Sequence, residues 1–178
     1  IIETGIAHGG SVVMSAAFLS LLDIAEGKDP RKSDRKVVAI DIDIRDHNHH
    51  ALKQHPFFFK INLIEGSSID PSIIKNVCGI AKGYQRIMII LDSNHTHDHV
   101  LQELNAYSDL VSVGSYCIVF DTVIENLPND SFPDRPWDKG NNPMTAVNEW
   151  LNNNDNFQID HMIDDKLLVS VGPRGYLK

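Results

Sequence analysis

The chain alternates short apolar runs with longer segments whose apolar residues recur at helical spacing, and Gly, Pro, Asn and Asp stand between them. Runs of four to eight residues bounded by turn formers predict buried strands, and the longer periodic segments predict helices. An apolar opening at Ile1-Ile2 passes through a glycine-rich turn into a periodic segment from Val12 to about Ala25. Strands are predicted next at Val37–Asp43, Phe57–Glu65, Arg86–Asp92 and Tyr116–Thr122. Between them fall a short helix over Asp46–Gln54, a helix opening at Asp70-Pro71 and a helix from Asp98 to Ser108. Pro at a first helical position is well placed, because its missing N–H has no intrahelical partner there. After an irregular stretch from Glu125 to Asn142 come a helix over Thr145–Asn152 and two closely spaced runs, Phe157–His161 and Lys166–Val171. Such a late pair suggests a hairpin, hence one antiparallel member in a parallel sheet. The expectation is an α/β protein: a three-layer αβα sandwich around a mostly parallel, seven-stranded, Rossmann-like sheet.

Length and composition narrow this. The sequence has 178 residues, enough for one α/β domain, so residues 1–178 are expected to form a single domain. A formal net charge of −8 argues against nucleic acid or an anionic membrane as partner. No apolar run approaches the ~18 residues of a membrane-spanning helix. Cys78 and Cys117 both lie in apolar contexts and read as free thiols of a cytoplasmic protein. The chain opens without Met, inside a strand, which suggests that an N-terminal segment is missing.

The chemistry concentrates at the ends of the predicted strands. Glu3-Thr-Gly5-Ile-Ala-His-Gly9-Gly10-Ser11 joins the first strand to the first helix. A glycine turn at a helix N-terminus lets the backbone approach a ligand and offers unpaired N–H groups. The spacing is not that of a dinucleotide fingerprint, and Ser11 stands where a P-loop carries lysine. An acid beside the turn disfavours pyrophosphate and suits a ligand bearing an ammonium or sulfonium. Asp41, with Asp43 in reserve, ends the second strand, where an acid accepts ribose hydroxyls in Rossmann-like sheets. Ser67 and Ser68 at the third strand-end could meet the nucleoside or cap the next helix. Asp92 and Asp121 close the fourth and fifth strands and could together hold a divalent cation, or else bind a cofactor amine and cap a turn. His95 is the best-placed general base, since a neutral imidazole can accept a hydroxyl proton near neutral pH. His95-Thr-His97-Asp-His99 also raises a zinc-hydrolase alternative, although the run is one residue short of the dinuclear-zinc pattern. His97 and His99 are expected instead in the first turn of a helix. Trp137, in the irregular stretch, could stack on a substrate or anchor packing.

These blocks resemble the cephalosporin hydroxylase / rhamnosyl O-methyltransferase family. The likeness runs through Glu3–Ser11, Asp92–His99, Gly114–Thr122, Arg135–Pro143 and Leu167–Leu177, nearly the whole chain. It implies a Rossmann-like methyltransferase fold, S-adenosyl-L-methionine as donor, Mg2+ as an expected ion, and transfer of methyl to a hydroxyl of a saccharide, glycolipid or natural product. Carried over by position, Glu3, Gly5, Gly9, Gly10, Ser11, Asp41, Ser67 and Ser68 fall on cofactor contacts, and Asp92 and Asp121 on metal ligands. Relatives tend to carry Glu-Asp at the fifth strand-end, where this chain has Phe120-Asp121, so one ligand is lost. The second reading is therefore a non-catalytic S-adenosylmethionine- or nucleotide-binding domain of a biosynthetic assembly. The expected partner is a small-molecule or saccharide acceptor, with a homo-oligomer left open.

Overall fold

The computed structural model describes residues 1–178. Its strands are β1 (Ile2–Thr4), β2 (Val37–Asp41), β3 (Ile61–Glu65), β4 (Ile89–Leu91), β5 (Cys117–Val119) and β6 (Tyr176–Leu177). They form one sheet in the order β3-β2-β1-β4-β5-β6. The first five run parallel and β6 is antiparallel to β5. The helices are α1 (Gly10–Ala25), α2 (Asp46–Gln54), α3 (Pro71–Ala81), α4 (His97–Tyr107), α5 (Pro143–Leu151) and α6 (His161–Leu167).

Alternation along the strands builds two cores. Val38 and Ile40 face a cluster completed by Ile89, Leu91, Val100, Leu104, Tyr107 and Trp150, under α3, α4 and α5. Val37 and Ala39 face a smaller cluster with Val12, Ala16 and Leu52, under α1 and α2. The period-2 geometry of a strand sends neighbouring side chains to opposite faces, and both faces are covered, giving the three layers. Helix α1 buries its small and polar residues Ser15, Ala16, Ser20 and Asp23, leaving Met14, Phe18 and Leu21 exposed. The buried Asp23 accepts from Lys60 Nζ at 2.5 Å and from Ser33 Oγ at 2.7 Å. This ties α1 to the turn leading into β3.

Side chains cap the starts of α3, where Asp70-Pro71 signals it, and of α5. Asp70 accepts the N–H of Ser72 at 2.7 Å ahead of Pro71. Asn142 and Thr145 make a reciprocal capping box before α5. Each satisfies N–H groups that the first helical turn leaves unpaired.

The late hairpin is a correction. The sheet has six strands rather than seven, because Lys166–Val171 forms no strand. Asp160 accepts the N–H of Met162 and starts α6, which takes in Asp164 and Asp165. From the 157–161 run only Ile159 pairs, as an isolated antiparallel bridge to Leu177. The free edge of β5 goes instead to the chain end. Gly175 makes this close approach, its N–H and C=O lying against the neighbouring backbone so tightly that a Cβ there would sit 2.0 Å from Val119 O. Gly175 O accepts from Val119 N–H at 2.8 Å. The Phe57–Glu65 run is also divided, since a 3-10 turn at Phe58–Lys60 precedes β3.

Candidate functional site

The carboxyl ends of β1, β2, β4 and β5 lie side by side in the sheet, and the strand order reverses about β1. Such a reversal opens a crevice in which doubly wound sheets bind ligands. A cavity of about 910 Å3 lies elsewhere. It is lined by Ile1, Lys36 and Met88 at the amino ends of the strands, away from the glycine turn and the strand-end acids.

The β1–α1 turn is built for close backbone approach. Gly5 has φ +86, and a Cβ on it would fall 2.0 Å from Asp92 O. Only glycine takes that conformation beside that carbonyl without strain. A side chain on Gly9 would strike Leu52, whereas one on Gly10 would meet nothing within 4 Å. The first residue of α1 thus faces open space, with the helix N–H groups behind it.

Glu3 lies under this turn and is 1% exposed. Its Oε1 accepts the Ser11 hydroxyl, while Oε2 has no hydrogen-bond partner in the protein. Burial pushes its carboxyl above the usual range, against the Ser11 hydrogen bond. An unpartnered buried carboxylate oxygen costs free energy unless a donor meets it.

Asp41 ends β2 as expected, with its carboxylate turned to the glycine loop. Oδ2 accepts the N–H groups of Ile6 at 2.7 Å and Ala7 at 3.1 Å, and Oδ1 accepts that of Asp43 at 3.1 Å. A carboxylate offers about four lone-pair sites, so one remains for a hydroxyl. Asp43 is exposed. Ser68 is 4% exposed and Tyr107 donates its hydroxyl to Ser68 O. Ser67 uses its carbonyl to accept from Asp70 N–H at 3.0 Å.

The fourth and fifth strand-ends supply the second focus. Donor atoms of Asp92, His95 and Asp121 all lie within 4.8 Å of one another. His95 Nε2 is 3.0 Å from Asp121 Oδ2. Burial, with Asp121, Glu3 and Glu103 adding, raises the Asp92 carboxyl to about 7. Burial lowers the His95 imidazole, against the pull of Asp121 and Glu103. Asp121 has φ 55, a left-handed conformation uncommon outside glycine. Phe120, which precedes Asp121, lies beside Gly172.

The zinc alternative does not hold, because the three histidines do not converge. His97 Nδ1 is 2.8 Å from Thr145 Oγ1 and its Nε2 is 3.2 Å from Glu149. His99 Nε2 is 3.0 Å from Ser68 Oγ and 3.1 Å from Ser93 Oγ. Helical spacing sends these side chains to different neighbours. Both are half-buried in the first turn of α4, as expected.

Two features escaped the sequence. Trp137 packs edge-to-face on His95, with ring centroids 4.7 Å apart, and Arg135 stacks over Trp137 at 5.2 Å. The irregular stretch therefore covers the catalytic candidate. Glu103, one of two acids on α4 with Asp98, is 0% exposed and accepts from Ser93 Oγ at 2.7 Å. Its place three after Val100 and four before Tyr107 puts it on the apolar stripe of α4, a signal that helical spacing carries.

A glycine corner on β1, an acid on β2 and an acid-histidine-acid group across β4 and β5 belong to a Rossmann-like methyltransferase fold. MycE methyltransferase from the mycinamycin biosynthetic pathway, solved in complex with Mg and SAH, shares that fold. The TM-score is 0.50 at 17% identity, over 83% of this chain and 34% of that one. The sequence profile of the rhamnosyl O-methyltransferase/CmcI family matches residues 1–178, and the chain belongs to that family. A rhamnosyl O-methyltransferase of Mycobacterium tuberculosis (strain ATCC 25618 / H37Rv) is 30% identical over 129 residues, 72% of this chain and 47% of the relative. The same holds for that of Mycobacterium bovis (strain BCG / Pasteur 1173P2). The chain spans about half the length of these curated relatives. No helix is long and apolar enough to cross a membrane.

Proposed function

We propose that residues 1–178 form a single S-adenosylmethionine-dependent O-methyltransferase domain acting on a hydroxyl of a saccharide, glycolipid or natural-product acceptor. The observation that carries this reading is the orphaned Glu3 Oε2 beside the open space at Gly10. A buried acceptor without a donor, under a helix N-terminus clear of side chains, fits a cationic nucleoside ligand. When bound, S-adenosylmethionine supplies an electrophilic sulfonium methyl for displacement by oxygen. Glu3 and Ser11 are then the residues facing its amino-acid end, Gly5, Gly9 and Gly10 give it room, and Asp41 offers its remaining lone pair to the ribose. Ser67 and Ser68 stand at the third strand-end for the nucleoside.

Asp92 and Asp121 would hold Mg2+, since carboxylate oxygens suit a hard cation that keeps much of its water shell. Such an ion lowers the pKa of a nearby hydroxyl. Burial favours neutral His95. With Nε2 3.0 Å from the Asp121 carboxylate, which can only accept, the hydrogen sits on Nε2, and Nδ1 is the nitrogen that would take the acceptor's proton. Asp121, 3.0 Å away, then stabilises the imidazolium. Trp137 closes the outer side of His95 and limits water access. The main task of these groups is alignment, because holding two reactants at contact distance itself lowers the barrier. The free thiols Cys78 and Cys117 support a cytoplasmic setting.

Phe120 favours a second reading, a domain that binds the cofactor and transfers nothing. Incubation with methyl-labelled S-adenosylmethionine, Mg2+ and a panel of saccharides, rhamnosides included, separates the two. Label in an acceptor, lost in His95→Ala, supports the transferase. Tight cofactor binding with no label in any acceptor supports the second reading.

A further inference from the structure

Beneath the two ends of the site runs a partly buried polar chain whose Ser93, His99 and Glu103 have no part in the proposed reaction. Ser93, between Asp92 and the His95 segment, places its Oγ 2.7 Å from Glu103 Oε1. A serine hydroxyl has a single hydrogen, and this contact with a carboxylate takes it. The 3.1 Å contact between Ser93 Oγ and His99 Nε2 must then be a bond donated by the imidazole. That fixes the His99 tautomer: Nε2 carries hydrogen and cannot accept. The same N–H faces Ser68 Oγ at 3.0 Å, so Ser68 accepts as well and keeps its own hydroxyl hydrogen for another partner. Glu103 Oε1, 3.6 Å from the ring nitrogen, supplies the negative charge behind the arrangement. Tyr107 holds the Ser68 carbonyl from the same helix.

His99, Glu103 and Tyr107 all lie on α4, spaced four residues apart on one face. One rigid helix face therefore grips the third strand-end through Ser68 and the fourth through Ser93. Resting on the function proposed above, we propose that His99 is a positioning residue that locks the Asp92–His95 segment to Ser68. The metal-and-acceptor end and the nucleoside end of the site are thereby held in one register.

The test is calorimetric titration of S-adenosylhomocysteine and, separately, Mn2+ into wild type, His99→Leu and His99→Gln. Glutamine carries an N–H donor at about the reach of the imidazole Nε2, whereas leucine carries none. His99→Leu is expected to weaken both ligands by about 10-fold, the lower end of what loss of an outer-shell partner costs a metal site. His99→Gln is expected to restore most of both. A purely structural role would lower the melting temperature while folded protein bound each ligand as wild type does, and that result overturns the proposal. So does weakening of only one ligand, or a Gln variant no better than Leu. Should His99→Leu not fold, Ser93→Ala and Ser68→Ala decide the matter. Each removes one end of the link, so each should weaken Mn2+ as well as S-adenosylhomocysteine, and unchanged Mn2+ affinity in either contradicts the proposal. Wild type that binds Mn2+ but not S-adenosylhomocysteine overturns the cofactor reading, and the Mn2+ titrations of the two His99 variants still decide the positioning role.

Discussion

His95 Nε2 stands 3.0 Å from Asp121 Oδ2, across the carboxyl ends of two neighbouring parallel strands. Asp121 reaches it from a left-handed backbone, φ 55 and ψ 19, at the entry to a 3-10 turn. Non-glycine residues held in that region cost about 1–3 kcal/mol and persist where the surroundings over-determine them. Asn and Asp bear this conformation better than other side chains, so the choice at position 121 serves both backbone and carboxylate.

Asp121→Asn should therefore separate the two roles. Its stability in urea should stay within about 0.5 kcal/mol of wild type, the range of substitutions that disturb no buried feature. Its Mn2+ affinity should fall by more than the ~10-fold expected of an outer-shell change. A large stability loss with unchanged Mn2+ affinity would make Asp121 a turn former only.

The two glycines of the β1–α1 turn should behave oppositely. Gly5→Ala puts a Cβ 2.0 Å from Asp92 O on a positive-φ backbone, so urea titration should reveal a loss of about 1–3 kcal/mol. Gly10→Ala meets no atom within 4 Å and should gain up to about 1 kcal/mol from helix propensity. If that space belongs to the cofactor, Gly10→Ala should nonetheless weaken S-adenosylhomocysteine. A Gly10→Ala protein that is stable and binds normally would place the ligand elsewhere.

Glu3→Gln keeps an acceptor for Ser11 and removes the charge. Its effect on stability should be small, because an unpartnered buried carboxylate contributes little to the fold. Loss of a charge-assisted hydrogen bond to the ligand, about 1.5–3 kcal/mol, corresponds to ~10- to 100-fold weaker S-adenosylhomocysteine binding. Equal affinity would assign Glu3 to the fold alone.

Away from the site, Asp23 predicts an acid-stability step. Burial pushes its carboxyl up, but hydrogen bonds from Lys60, Ser33 and Arg35 outweigh this and hold it at about 2. With the native value depressed, the unfolded chain binds the proton first. The stabilisation is thus complete above about 4, the unfolded value, and is lost as pH falls towards 2. Asp23→Asn should flatten that part of the melting-temperature profile. It should also cost about 3–5 kcal/mol at neutral pH by leaving the Lys60 charge buried without its counterion. An unchanged acid profile would show that other carboxylates set it.

The parallel frame was legible because its strands are short apolar runs ending in turn formers, and the acids at 41, 92 and 121 fell where those runs stopped. The chain end was not. Leu167-Leu168-Val169 is as apolar as a strand, yet the edge of β5 is claimed by Tyr176–Leu177, through a backbone approach that depends on Gly175. Pattern alone does not say which of two segments wins one edge. The candidate site was legible where chemistry sat on strand ends and invisible where it depended on the third dimension. Glu103 falls on the apolar stripe of α4, between Val100 and Tyr107, but spacing does not name its partner Ser93, and Trp137 gave no sign that its partner is His95.

On the function proposed above, the glycine corner on β1 holds S-adenosylmethionine. Calorimetric titration of metal-stripped wild type with S-adenosylhomocysteine, with and without Mg2+, tests it most directly. Binding in the micromolar range, about −8 kcal/mol, is expected whether or not Mg2+ is present, because the Glu3–Gly10 corner and the Asp92–Asp121 pair are separate contacts. No binding in either condition would leave Glu3 Oε2 without the partner assigned to it and contradict the methyltransferase reading.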